Sequence, residues 1–118
     1  MLVGPEDWRT RAADELLDAI VALPDREEAA RFMRDLCTLR ELRELAQRWA
    51  VVRLLDEGRH YSEIARETGA STATITRIAA WLHHGTGGYR SALARDVRRR
   101  RRGSSAEARA AAAPRGRP

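Results

Sequence analysis

Apolar residues return along this chain at intervals of three and four, and no alternating β-branched run interrupts that rhythm, so the pattern predicts an all-α protein. Trp8, Ala12, Leu16, Ala19, Ile20 and Leu23 form one stripe of a first helix, expected from about Pro5 to Leu23. Pro5 suits its first turn and Pro24 closes it. A second helix, about Asp25 to Leu36, places Ala29, Phe32, Met33 and Leu36 on one face and is too short to persist without packing partners. The third has the clearest start, because Thr38 and Glu41 stand at capping-box spacing, where hydroxyl and carboxylate each satisfy an orphan backbone N–H. It is expected to run to about Glu57 and stop at Gly58. Its band of Leu39, Leu42, Leu45, Ala46, Trp49, Val52 and Leu55, widened by Val51 and Leu54, can face two surroundings at once, either a second copy or the rest of its own chain.

A short helix over Tyr61 to Thr68, a turn at Gly69 and a helix from Ser71 to His83 follow. "HGTGGY" breaks the chain at Gly85, Gly87 and Gly88, and "YRSALARDV" begins a last helix that runs into five consecutive arginines. Beyond Gly103, "SSAEARAAAAPRGRP" offers almost nothing large and apolar to bury, so it is predicted to be disordered in isolation, with transient helix at most. The expected organisation is therefore a helical domain over residues 1–97 and a basic, Ala/Arg-rich tail over 98–118.

Charge sharpens this division. The net +5 is uneven: residues 95–118 hold nine arginines against Asp96 and Glu107, a net +7, while residues 1–94 hold thirteen arginines against fifteen acids, a net −2. The basic character belongs to the tail, and net charge alone does not make the folded body a nucleic-acid binder. With 118 residues, 43% of them hydrophobic, the chain has room for one real core. No apolar run reaches membrane-spanning length and "MLVGPEDWRTR" lacks signal-peptide features, so a cytoplasmic protein without membrane contact is expected.

The single Cys37, beside Leu36 and Leu39, reads as a buried thiol, and His60, His83 and His84 have no further ligand at metal-binding spacing. The three tryptophans read as core or interface. No phosphate loop, nucleophile elbow or metalloprotease helix is present, which leaves an enzyme as the weakest class.

The chemistry lies in residues 61–80, which fit a helix-turn-helix position by position. Ala65 is small enough for the second helix to cross closely above it, Gly69 is free to take the positive φ of a sharp turn, and Ile64, Ile75 and Ile78 plug the angle between the helices. The helical period then leaves Ser71, Thr72, Ala73, Thr76 and Arg77 outward, on the half of the helix that would enter a major groove of double-stranded DNA. Short side chains let the backbone approach closely; hydroxyls and free N–H groups favour phosphates, and methyls can meet thymine. Ser71 also reads as a plain N-cap, and the same pattern occurs in structural helical hairpins.

"TLRELRELAQRWAVVRLLDEG", "EIARETGASTATITR" and "LHHGTGGYRSAL" occur in the order of a known family: over about residues 5–95 the chain resembles the Trp repressor family, in particular its YerC/YecD-type branch. The resemblance implies a six-helix fold, an intertwined homodimer, and two helix-turn-helix heads that each read half of an operator, most plainly as a transcriptional repressor. It also carries over an effector site for L-tryptophan or another small molecule onto Thr38, Arg48 and Arg77. Ile78 stands where the repressor has a glycine, and the stretch before Ile64 is one residue shorter. Constitutive DNA binding or a different effector is the alternative, and Arg48 then serves a structural ion pair. A rival of another class is a protein-interaction adaptor or antitoxin-like module whose arginine tail binds nucleic acid non-specifically. On a DNA-binding domain, Arg98 to Arg102 would add phosphate contacts to what is otherwise a solvated tail.

Overall fold

The structure, a computed structural model, describes residues 7–112 and contains six helices among them: α1 (Arg11–Val21), α2 (Arg26–Leu36), α3 (Leu39–Asp56), α4 (Tyr61–Thr68), α5 (Thr72–His84) and α6 (Gly88–Ala112). None is long and apolar enough to cross a membrane. The all-α, six-helix expectation holds. The chain divides into two compact units, Met1–Glu44 and Leu45–Pro118.

In the first unit side-chain caps set the helix starts. Thr10 Oγ1 accepts from the Ala13 amide at 3.1 Å, and Asp25 Oδ1 accepts from the Glu28 amide at 2.9 Å. The first helix therefore begins at Arg11. Residues 7–10 form a turn closed by the Thr10 amide on the Trp8 carbonyl at 2.8 Å, so Trp8 and Leu23 fall outside the helix whose stripe they were expected to join. Pro5 lies outside the described residues. The Thr38 and Glu41 capping box is formed in both directions, at 2.8 and 3.1 Å. No residue of α1 or α2 is buried, and Leu16, Ile20, Val21 and Leu36 are all exposed. Cys37 is half-buried, because it stands at the carboxyl end of α2 in the connection to α3 and not in a core.

The second unit holds the core. Val51 and Val52 of α3, Ile64 of α4, Ala70 of the turn, Ile75, Ile78 and Leu82 of α5 and Leu93 of α6 pack together, with Trp49, Leu54, Leu55, Ala65 and Tyr89 around them. The band on α3 divides accordingly: Val51 and Val52 are fully buried, whereas Leu39 and Leu45, toward its amino end, are exposed. Of the tryptophans only Trp49 joins this packing, with its ring 6.5 Å from that of Tyr89; Trp8 and Trp81 are exposed in the single chain.

Gly85 separates α5 from α6 for a steric reason, since a Cβ there would lie 2.3 Å from the Trp81 carbonyl oxygen. Helix α6 then runs unbroken across residue 98, where the tail was expected to begin, and through the five arginines to Ala112.

Candidate nucleic-acid interface

The core residues that fix α4 against α5 are those the spacing predicts. Ile64 and Ile75 are fully buried, Ile78 is 5% exposed, and Ala65 lies half-buried beneath the crossing. Gly69 takes φ 77°, where a side chain is disfavoured, and its amide donates to the Ala65 carbonyl at 2.8 Å. Two side chains outside the sequence-predicted set fasten this turn. Thr68 Oγ1 donates to the Ile64 carbonyl at 2.7 Å and accepts from the Ala70 amide at 3.1 Å, while Gln47 Nε2 of α3 donates to the Thr68 carbonyl at 3.0 Å. Arg59, just after α3, ties the same region together by ion pairs to Glu57 at 3.8 Å, to Glu63 at 3.5 Å and to Glu67. The pairing with Glu67 above all raises the pKa of its guanidinium further.

With the two helices fixed, Ser71, Thr72, Ala73, Thr76 and Arg77 are all exposed, so the five expected DNA-contacting residues share the open side of α5. Ser71 is also the N-cap, its hydroxyl oxygen accepting from the Thr74 amide at 3.1 Å. Thr74 is the residue that the spacing of the motif leaves out. Its Oγ1 accepts from the Ser71 hydroxyl at 3.0 Å and from Arg77 Nη2 at 3.3 Å, so one hydroxyl joins the cap to the guanidinium and restricts where Arg77 points. The i, i+3, i+6 spacing of Ser71, Thr74 and Arg77 is the signal that marks it. The opening turn of α5 contains no acidic residue, so its amide dipoles and hydroxyls meet no competing negative charge there.

The Trp repressor protein family matches residues 11–97, which span α1 to α5 and the first part of α6. The chain belongs to the Trp repressor family. Members of the Trp repressor family are regulators and not enzymes. The uncharacterized protein YerC of Bacillus subtilis (strain 168) is 48% identical over 87 residues, covering 74% of this chain and 84% of YerC. Two solved structures are similar. A TrpR-like protein from Eubacterium eligens ATCC 27750 superposes with a TM-score of 0.73 at 43% identity, over 75% of this chain and 92% of that one. A candidate Trp repressor from Staphylococcus aureus does so with 0.74 at 42% identity, over 80% and 94%.

Thr38, Arg48 and Arg77 are the positions that the resemblance carries over as an effector site. Thr38 belongs to the first unit and its hydroxyl oxygen is committed to the cap of α3. Arg48 lines an open pocket of about 470 Å3 together with Trp81, Gly85, Thr86, Gly88 and Tyr89, and Arg77 is not among the lining residues. Ile78 belongs to the core.

Proposed function

We propose that this chain is a sequence-specific DNA-binding transcriptional regulator, a repressor that acts as a cytoplasmic homodimer through the helix-turn-helix at residues 61–80. The observation that carries the proposal is the pairing of a buried Ile64, Ile75 and Ile78 seam with an exposed, small and hydroxylated face of Ser71, Thr72, Ala73, Thr76 and Arg77 on one helix. Such a face fits a groove, and all five of its residues are exposed. Family membership supports the same reading.

The dimer is supported by what the single chain leaves uncovered. Trp8, Leu16, Ile20, Val21, Leu36, Leu39 and Leu45 are exposed, and α1 and α2 bury none of their residues. Helices this short are marginal alone, and covering each large apolar side chain contributes about 1.5–3 kcal/mol. A second copy offers the same apolar surface in return.

DNA binding that does not depend on L-tryptophan is the effector reading we favour. Ile78 fills core space where the repressor has a glycine, and Arg77 bonds to Thr74 instead of lining the Arg48 pocket.

Selection of bound duplexes from random sequence, with and without L-tryptophan, tests both points. A partly palindromic consensus obtained equally in both conditions is expected. The Thr76→Ala, Arg77→Ala double variant should stay folded and lose preference for that consensus by about 1–3 kcal/mol for each side chain that reads a base. Undiminished preference in a folded double variant would overturn the assignment of the reading face.

A further inference from the structure

Helix α6 has two faces of different character. Tyr89, Ala92, Leu93, Asp96 and Val97, at the i, i+3, i+4, i+7, i+8 positions of one stripe, are buried or half-buried, and Arg95, Arg98 and Arg102 are exposed on the opposite side. Asp96 divides the cations between these faces. Its carboxylate meets Arg99 Nη2 at 3.0 Å, Arg100 Nε at 3.1 Å and, across to α3, Arg53 Nε at 3.3 Å. The base of the arginine run is thus tied to the helix whose Val51 and Val52 support the recognition helix. Among the residues whose side chains are described, which do not include Glu107, no carboxylate pairs with Arg95, Arg98 or Arg102. These three span about 10 Å at the rise of a helix.

The head itself is short of charge. Residues 61–80 contain Arg66 and Arg77 against Glu63 and Glu67, a net of zero, and the neighbouring Arg59 is held among three carboxylates. A neutral head gains little from the counterion release that supplies most sequence-independent affinity for a duplex. The charge stands instead on α6, and residues 98–118 lie beyond the family match, which ends at 97.

We propose that the outward stripe of Arg95, Arg98 and Arg102 binds backbone phosphates of the same double-stranded DNA that the helix-turn-helix reads. The proposal rests on the DNA-binding reading of the head. Guanidinium groups suit phosphate oxygens because their fork of N–H donors can engage two oxygens at once. The stripe carries affinity without sequence information, and the head carries the sequence information.

The test uses the full chain and two labelled duplexes, one of the selected consensus and one of mixed sequence, titrated between about 50 and 200 mM salt. Circular dichroism first confirms that each variant is folded. The Arg95→Gln, Arg98→Gln, Arg102→Gln variant should weaken on both duplexes alike. Its slope of log K against log salt should become shallower by about 0.9 for each phosphate no longer neutralised, up to about 2.7 per chain. Its ratio of affinities for the two duplexes should not change, and the corresponding three lysine substitutions should restore most of the slope. An unchanged slope with the preference intact overturns the proposal and leaves the head reading standing. A parent chain that shows no preference between the duplexes overturns the head reading, and the proposal with it. A loss of binding confined to a single-stranded RNA of equal length overturns it in favour of an RNA partner.

Discussion

Gly69 holds φ 77°, and the nearest atom to a Cβ built there is Gln47 Nε2 at 3.8 Å, ordinary van der Waals distance. Space is therefore available and the backbone alone resists a side chain. Gly69→Ala should lower stability by about 1–2 kcal/mol in urea unfolding, the cost of one left-handed non-glycine residue, and leave the DNA consensus unchanged. A loss near zero would mean that the turn opens to relieve the strain. Gly69 was legible in the sequence because the turn needs it at a fixed place between Ile64 and Ile75. Gln47 and Thr74 were not. Gln47 acts on a carbonyl 21 positions away, a partner that only the packing of α3 against α4 supplies, and Thr74 looks like one more small residue until Arg77 folds back onto it.

At the scale of elements, the helix starts depend on side chains that stop being caps when protonated or removed. Glu41 and Glu63 each accept a backbone N–H three residues earlier, from Thr38 and His60, and those bonds hold both carboxyls below their ordinary pKa. Asp96 is lowered first by its hydrogen bond from Arg99, against an opposing effect of burial, and then by Arg53 and Arg100. A carboxylate whose folded pKa lies below its unfolded one adds stability that is complete above the unfolded value and is lost as pH falls through the folded value. The chain should therefore lose stability on acidification, from just above the ordinary values of 4.5 for Glu41 and Glu63 and 3.8 for Asp96 downward. The Glu41→Gln, Glu63→Gln, Asp96→Asn variant should show a shallower fall over that window in urea midpoints measured against pH. Caps also explain what the sequence concealed. Thr10 is a stronger start signal than Pro5 because its hydroxyl meets a free amide, and a stripe of apolar residues extended over both sides of it says nothing about which residue takes that role. Helices α3, α4 and α5 were readable to within a residue or so because a capping box, a glycine stop and the isoleucine seam coincide there.

For the molecule as a whole, the imbalance between its two units is the main fact. Among the described residues all the buried side chains belong to Leu45–Pro118; the stripes of α1 and α2 are at most half-buried, at Ala19, Ala29, Phe32 and Met33, and exposed at Leu16, Ile20 and Leu36. If a second copy covers them, folding and association are linked, and the thermal midpoint should rise with chain concentration while sedimentation reports twice the chain mass. A monomer with a concentration-independent midpoint would remove the dimer. The stripes themselves were plain in the sequence. Their exposure was not, because periodicity shows which face is apolar and cannot show whether its own chain is long enough to cover it. A different consequence follows from the turn at residues 68–70. The carbonyls of Ile64, Ala65 and Thr68, the Ala70 amide and the Thr68 hydroxyl all have partners within the protein, so the joint needs no water and no ligand to set its angle. On the proposed DNA-binding function, the angle at which α5 would meet a duplex is then fixed before any duplex arrives. Little conformational entropy would then remain to be lost at this joint on association, and any ordering that DNA imposed would fall on the exposed side chains of α5 and not on its backbone.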